Sequence, residues 1–311
     1  MADPALLIAS SHWIHDLSPF ALKIGADFGI RWYGLAYLAG IAWGMWMFVR
    51  WSRAGRFPLN STQIQDFVLW AGLGMIIGGR LGFCLLYGWD ELVANPIGRW
   101  VEVRTLTGTE SHFEWPYLIR VWEGGMASHG GILGMLLGTL WFARRQRVAA
   151  GVLADAVAAV APMGILLGRA ANFVNGELWG RPSEVAWAVI FPHAPRVNGL
   201  MVARHPSQLY EAFAEGLVLL VLIMPIHARH RRPWLTCGVL FSAYSVARVI
   251  CEIFREPDVG QQVFFGLITK GQAFSLPVLM VGLGLWLWAL RRPARPEEYG
   301  LPAQAPAQAT P

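Results

Sequence analysis

Apolar side chains gather into seven stretches of roughly 20 residues, at 30–49, 64–86, 125–142, 152–174, 206–226, 234–254 and 272–290. A helix rising about 1.5 Å per residue needs that length to cross a hydrocarbon layer about 30 Å thick. The third and fourth stretches are diluted by Gly and Ala, which lowers their hydropathy but suits the middle of a bundle, where small residues let backbones approach. The pattern predicts an all-α, polytopic membrane helix bundle of about seven transmembrane helices over residues 30–290. A short segment, 1–29, precedes it, and a Pro-, Ala- and Gln-rich tail, 291–311, is expected to be disordered. No internal repeat is evident.

The polar connections between these stretches alternate in character. Arg50, Arg53 and Arg56 follow the first, Arg144, Arg145 and Arg147 the third, Arg229, Arg231 and Arg232 the fifth, and Arg291, Arg292 and Arg295 the last. No acid interrupts these clusters. The other connections, about 89–123, 175–205 and 255–271, are longer and mix both signs. Basic residues flanking spans are retained in the cytoplasm, so the N-terminus is expected outside and the C-terminus in the cytoplasm. The long outer loops then form a small extracytoplasmic cap.

Composition narrows the class. A chain 55% hydrophobic and 14% charged, with 16 Trp and 34 Gly, is too apolar for an ordinary soluble enzyme. A net charge of +5 is explained by membrane orientation, and with no basic stripe carrying interleaved aromatics, no nucleic-acid partner is expected. Cys84, Cys237 and Cys251 are widely spaced within or beside apolar stretches, which suggests neither a disulfide framework nor a zinc site. The opening residues lack a basic region before their short apolar run, so no cleavable signal peptide is expected.

Charged groups at membrane depth are costly and require a partner, a cavity or a substrate. Here they cluster. Helical spacing puts Arg169 and Asn172 on one face near the end of the fourth stretch, with Glu177 and Gly180 in the turn beyond. The sixth stretch carries Arg248, Glu252 and Arg255 on one stripe, with Tyr244 a turn earlier. The third opens on Gly124–Gly131, which includes His129 and Gly130. The first opens Arg31-Trp32-Tyr33-Gly34, and the fifth is entered through His205-Pro206-Ser207-Gln208. Structural readings compete with functional ones: Arg248 and Glu252 as an ion pair fixing register, Arg169 and Asn172 as an interhelical hydrogen-bond network, Trp32 and Tyr33 as interface anchors. Glu211 and Glu215, one turn apart on the fifth stretch, read as structural. Arg80 has no evident partner, and its role is left open. Convergence of so many polar groups at one membrane level favours a site.

Together these segments resemble the prolipoprotein diacylglyceryl transferase family. The resemblance rests on the stretch from Arg169 to Gly180, Ser128-His129-Gly130-Gly131, Arg31-Trp32-Tyr33-Gly34, the run from His205 to Glu211, and the run from Arg248 to Asp258, all in the family's order. Ala171 stands where the family often has Gly, which loosens packing but leaves the polar groups intact. The resemblance implies transfer of diacylglyceryl from phosphatidylglycerol to the lipobox cysteine thiol of a preprolipoprotein, forming a thioether and releasing glycerol phosphate. It implies no cofactor and no metal. Implied partners are phosphatidylglycerol, the lipobox segment and membrane lipids, and the implied location is the bacterial cytoplasmic (inner) membrane, with the active site facing outward.

Such a reaction gathers negative charge on a departing phosphate, for which the planar, permanently charged arginine fork is suited. Arg169 and Arg248 are therefore expected to hold the phosphate, Glu252 to orient Arg248, Asn172 to add hydrogen bonds and Arg255 to guide the headgroup or peptide. His129 is the candidate base for the incoming thiol, because imidazole titrates near 6.5 and a thiol near 8.5. Glu177, Gly180, Tyr33, Tyr244 and Gly130 complete the expected substrate contacts. A seven-helix transporter or lipid scramblase with a charged site is the alternative. It predicts broken helices and internal symmetry, and the sequence shows neither.

Overall fold

The computed structural model describes residues 12–25, 28–105, 108–257, 262–263 and 268–300. Among the described residues, eight helices follow in chain order: α1 (Trp32–Arg53), α2 (Ser61–Leu86), the short α3 (Trp89–Ala94), α4 (Ser128–Gln146), α5 (Ala150–Val174), α6 (Ser207–Arg229), α7 (Leu235–Cys251) and α8 (Lys270–Leu290). The strands are β1 (Trp13–Ile14), β2 (Phe20–Lys23), β3 (Gly29–Arg31), β4 (Arg99–Thr105), β5 (Gly108–Glu114), β6 (Val189–Ile190), β7 (Ala203–Arg204), β8 (Gln262–Val263) and β9 (Ile268–Thr269). All seven apolar stretches fold as helices.

By length and composition, five of the described helices can cross a membrane: α1, α2, α5, α6 and α8. The other two expected spans fall short for different reasons. Helix α7 is apolar but only 17 residues long, below the roughly 20 a perpendicular span needs. Helix α4 has 19 residues, with four Gly among them. The chain is a multi-pass helical membrane protein.

The chain divides into two compact units, residues 1–58 with 154–311, and residues 59–153. In the second unit, α2 and α4 pack through facing glycines. A Cβ placed on Gly134 would lie 2.0 Å from the Gly74 carbonyl oxygen, and one on Gly78 would lie 2.3 Å from that of Gly130. No side chain larger than hydrogen fits between these backbones. Asn60 and Gln63 close a capping box at the start of α2.

In the first unit, α5, α6 and α7 share an apolar cluster of Ala158, Ala159, Leu219, Ile223, Cys237, Val239 and Leu240. Within α6, residues Ala212–Val218 wind as a π-helix, and a Cβ on Gly216 there would lie 2.7 Å from Leu166 Cα of α5. Gly216 thus brings α5 and α6 into backbone contact. Three short strands form one sheet, with β1 parallel to β6 and β6 antiparallel to β7.

The region expected to be a disordered tail begins with order. Pro296–Tyr299 form a 3-10 turn, and Tyr299, 1% exposed, donates its hydroxyl to Asp155 Oδ2 at 2.7 Å. Burial and the neighbouring Asp155 push the Tyr299 phenol well up. Residues 301–311 lie outside the described residues.

Candidate active site

Two acidic residues on α6 organise the polar cluster of the first unit. Glu211 and Glu215 are one turn apart and wholly buried. Buried carboxylates with no nearby cation on their own helix must be neutralised from elsewhere, and three guanidinium groups arrive from two directions. From α5, Arg169 Nε lies 2.9 Å from Glu211 Oε2, and its Nη2 lies 3.4 Å from Glu215 Oε2. From α7, Arg248 Nη1 lies 2.7 Å from Glu211 Oε1 and 3.3 Å from Glu215 Oε1, while Nη2 lies 2.7 Å from Glu252 Oε2. Just beyond α7, Arg255 Nη1 reaches Glu211 Oε1 at 3.2 Å.

Three arginines thus face three carboxylates, and the cluster is formally neutral. Exposure divides the two kinds of charge: the side chains of Arg169, Arg248 and Arg255 are 19%, 13% and 11% exposed, whereas those of Glu211 and Glu215 are fully enclosed. The carboxylates lie behind the arginines and hold their forks. An anion arriving at the exposed edge meets guanidinium first.

The π segment and the small residue at Gly216 explain why the helices meet here. A π turn adds a residue to the helical repeat and recurs at functional sites. It begins directly after Glu211 and contains Glu215. The close approach of Gly216 to Leu166 sits three residues before Arg169 on α5. Glu252 is fixed from another side, since a Cβ on Gly271, in the first turn of α8, would fall 2.7 Å from its carboxylate.

The turn after α5 forms a second layer. Asn172 donates to Glu177 Oε1 at 2.8 Å and Asn175 donates to the same oxygen at 3.3 Å. Gln208 Nε2 donates to the Glu177 carbonyl at 2.6 Å. Gly180 donates its N–H to the His205 carbonyl and pairs with Arg255, and a Cβ there would lie 2.5 Å from the His205 oxygen and 2.6 Å from that of Phe254. Only glycine allows this three-way backbone contact, which ties Arg255 to the turn. Partial burial lowers the pKa of His205, and its Nδ1 lies 3.1 Å from the Tyr210 hydroxyl.

Of the residues singled out from sequence, Arg169, Arg248, Glu252 and Arg255 are brought together. Asn172 and Glu177 pair with each other rather than with the arginines, and Tyr244 lies one turn before Arg248 on α7. Tyr33, at the start of α1, has its hydroxyl 3.3 Å from that of Tyr37. His129 and Gly130 belong to the unit 59–153, in the first turn of α4. Gly130 is occupied by packing against Gly78 and Gly82 of α2, and the His129 side chain lies outside the described residues. Arg80, left open from sequence, donates to the carbonyls of Leu118 (3.0 Å), Gly124 (2.7 Å), Gly125 (3.1 Å) and Tyr117. It therefore pins the segment leading into α4.

Sequence reasoning placed Glu211 and Glu215 among structural residues and missed them at the centre of the cluster. The available signal was an acidic pair inside an apolar span with no cation near it on the same helix.

The family model for prolipoprotein diacylglyceryl transferase matches residues 19–288, which include every member of this cluster. The chain belongs to the prolipoprotein diacylglyceryl transferase family. Relatives in that family include the phosphatidylglycerol–prolipoprotein diacylglyceryl transferase of Bradyrhizobium diazoefficiens, 41% identical over 293 residues, covering 90% of this chain and 94% of the relative. The protein of the same name from Rhizobium meliloti is 41% identical over 289 residues, covering 89% and 92%. That from Rhodospirillum rubrum is 41% identical over 281 residues, covering 88% and 93%.

Proposed function

We propose that this protein transfers the diacylglyceryl group of phosphatidylglycerol to the lipobox cysteine thiol of a preprolipoprotein. The sulfur attacks the glycerol carbon that bears the phosphate, a carbon–sulfur bond forms, and the carbon–oxygen bond breaks. Its electron pair leaves with the phosphate as glycerol phosphate, and the thiol proton passes to a base. The observation that carries this reading is the convergence of Arg169 and Arg248, from two helices, on the buried carboxylates of Glu211 and Glu215. The carboxylates hold both forks in place before substrate arrives, so little reorganisation is needed as charge develops on the leaving phosphate.

In this reading, Arg169 and Arg248 contact the phosphate, and Glu252, bonded to Arg248, positions it. Arg255 guides the headgroup at the edge of the cluster. Asn172, Glu177 and Gly180 maintain the turn to which Arg255 is tied, and Tyr33 and Tyr244 contact lipid or peptide. His129 is the proposed base.

The protein is read as seven-spanning over residues 30–290 in the bacterial inner membrane, with the N-terminus and active site outside and the C-terminus inside. The last turns of α1 (Arg50, Arg53), α4 (Arg144, Arg145) and α6 (Arg229) support this by ending in basic residues, as the positive-inside rule requires. Loops 89–123, 175–205 and 255–271 then form the outer cap.

A mass assay tests the reading: a lipobox peptide incubated with phosphatidylglycerol vesicles and the protein gains the mass of diacylglyceryl, and a transporter or scramblase leaves it unchanged. His129→Gln lowers turnover far more than lipid binding. Wild-type turnover by that variant at neutral pH eliminates the base assignment.

A further inference from the structure

The segment between α2 and α4 holds an exposed aromatic surface outside the arginine and carboxylate cluster. Strands β4 and β5 form a hairpin in which Trp100 stands directly opposite Phe113. Trp115, two residues further along, follows on the same side. Their rings form a ladder, with centroids 5.5 Å apart for Trp100 and Phe113 and 5.6 Å apart for Phe113 and Trp115. Yet the three side chains are 72%, 38% and 54% exposed. The opposite face of the same base carries Arg99 paired with Glu114 at 2.8 Å. Towards the tip, the aromatic side becomes polar at the Glu102 and Ser111 pair.

This face is rigidly held. Asn95, 1% exposed, donates to the Trp115 carbonyl at 3.2 Å and accepts from the Tyr117 N–H at 3.0 Å. Two residues beyond Trp115, the carbonyl of Tyr117 accepts from Arg80 of α2, and that of Leu118 does the same. Arg80 precedes the end of α2 at Leu86 by six residues, about 9 Å of helix. The base of the hairpin is thus tethered alongside the last turns of a membrane-crossing helix.

We propose that the Trp100, Phe113 and Trp115 face is a membrane-interface anchor, seated in the headgroup and upper acyl region of the bilayer at the boundary where α2 ends. Three features select lipid as the occupant. Trp and Phe are amphipathic or apolar rings suited to that boundary. A two-stranded hairpin with one aromatic face is only marginally stable in water without something to cover that face. The end of the membrane-crossing helix to which the hairpin is tethered is itself apolar and open, with Leu85, Leu86, Tyr87 and Trp89 all more than half exposed. The inference rests on the membrane spans and stands whether or not the transferase reading holds.

The three native cysteines are buried, so a single introduced cysteine can be labelled selectively. Trp100→Cys and His112→Cys, at exposed positions on opposite faces of the hairpin, are each labelled with an NBD fluorophore. The full-length proteins are reconstituted in phosphatidylglycerol and phosphatidylethanolamine vesicles. The proposal expects the label at 100 to shift to the blue and lose most of its emission to a shallow nitroxide lipid but little to aqueous iodide, with the label at 112 showing the reverse. Iodide quenching at 100 equal to that at 112 overturns it. So does a label at 100 that is open to iodide in vesicles and becomes shielded only when a lipobox peptide is added, which assigns the face to the peptide.

Discussion

Neutralising Glu211 should cripple transfer, because this one carboxylate contacts all three arginines of the cluster, at 2.9, 2.7 and 3.2 Å. Glu211→Gln keeps the shape but removes the charge, and it turns one oxygen into an N–H donor facing guanidinium donors. Removing one partner of a buried ion pair costs about 3–5 kcal/mol. If about 3 kcal/mol of that loss falls on positioning Arg169 and Arg248 for the departing phosphate, the rate drops about 100-fold, at roughly 1.4 kcal/mol per tenfold. The peptide mass assay reads the rate, and thermal denaturation in detergent separates lost positioning from lost folding. Glu211→Asp, which retains the charge on a shorter stem, should recover part of the activity. If Glu211→Gln turns over at the wild-type rate while folded, the arginines are not held by this carboxylate and the reasoning fails.

Other consequences follow from the packing. Gly134→Val should separate α2 from α4 and lower the thermal midpoint sharply, since even a Cβ there lies 2.0 Å from the Gly74 oxygen; an unchanged midpoint contradicts the close approach. Arg80→Lys should destabilise the unit by about 2–3 kcal/mol, because one ammonium cannot replace four charge-assisted bonds in fork geometry; denaturation in detergent measures it. Tyr299→Phe leaves Asp155 Oδ2 without its hydroxyl donor and should cost about 1–3 kcal/mol, a loss that truncation after residue 294 should match or exceed.

The helices were legible because a span imposes a length and a composition on a continuous stretch of chain. Their boundaries shift by only a few residues, as in 64–86 against Ser61–Leu86 and 152–174 against Ala150–Val174. The outer hairpin was missed, although Val101 to Arg104 alternates apolar and charged side chains; the length of the loop masked a local period of two. Arg169, Arg248, Glu252 and Arg255 could be grouped because they lie on two helical faces. The partners that neutralise them could not, because Glu211 and Glu215 lie on a third helix, and nothing in linear spacing says which cation a buried acid will meet. Arg80 shows the same limit from the other side, since its acceptors are carbonyls of a loop 37 to 45 residues away.

Arg248 tests the account most directly. Its Nη1 bridges Glu211 and Glu215 while Nη2 meets Glu252, an arrangement that a single ammonium cannot reproduce. Arg248→Ala and Arg248→Lys, purified in folded form and given lipobox peptide and phosphatidylglycerol vesicles, should leave nearly all the peptide at its starting mass. Full conversion by the folded Ala variant would show that the leaving phosphate does not depend on this guanidinium.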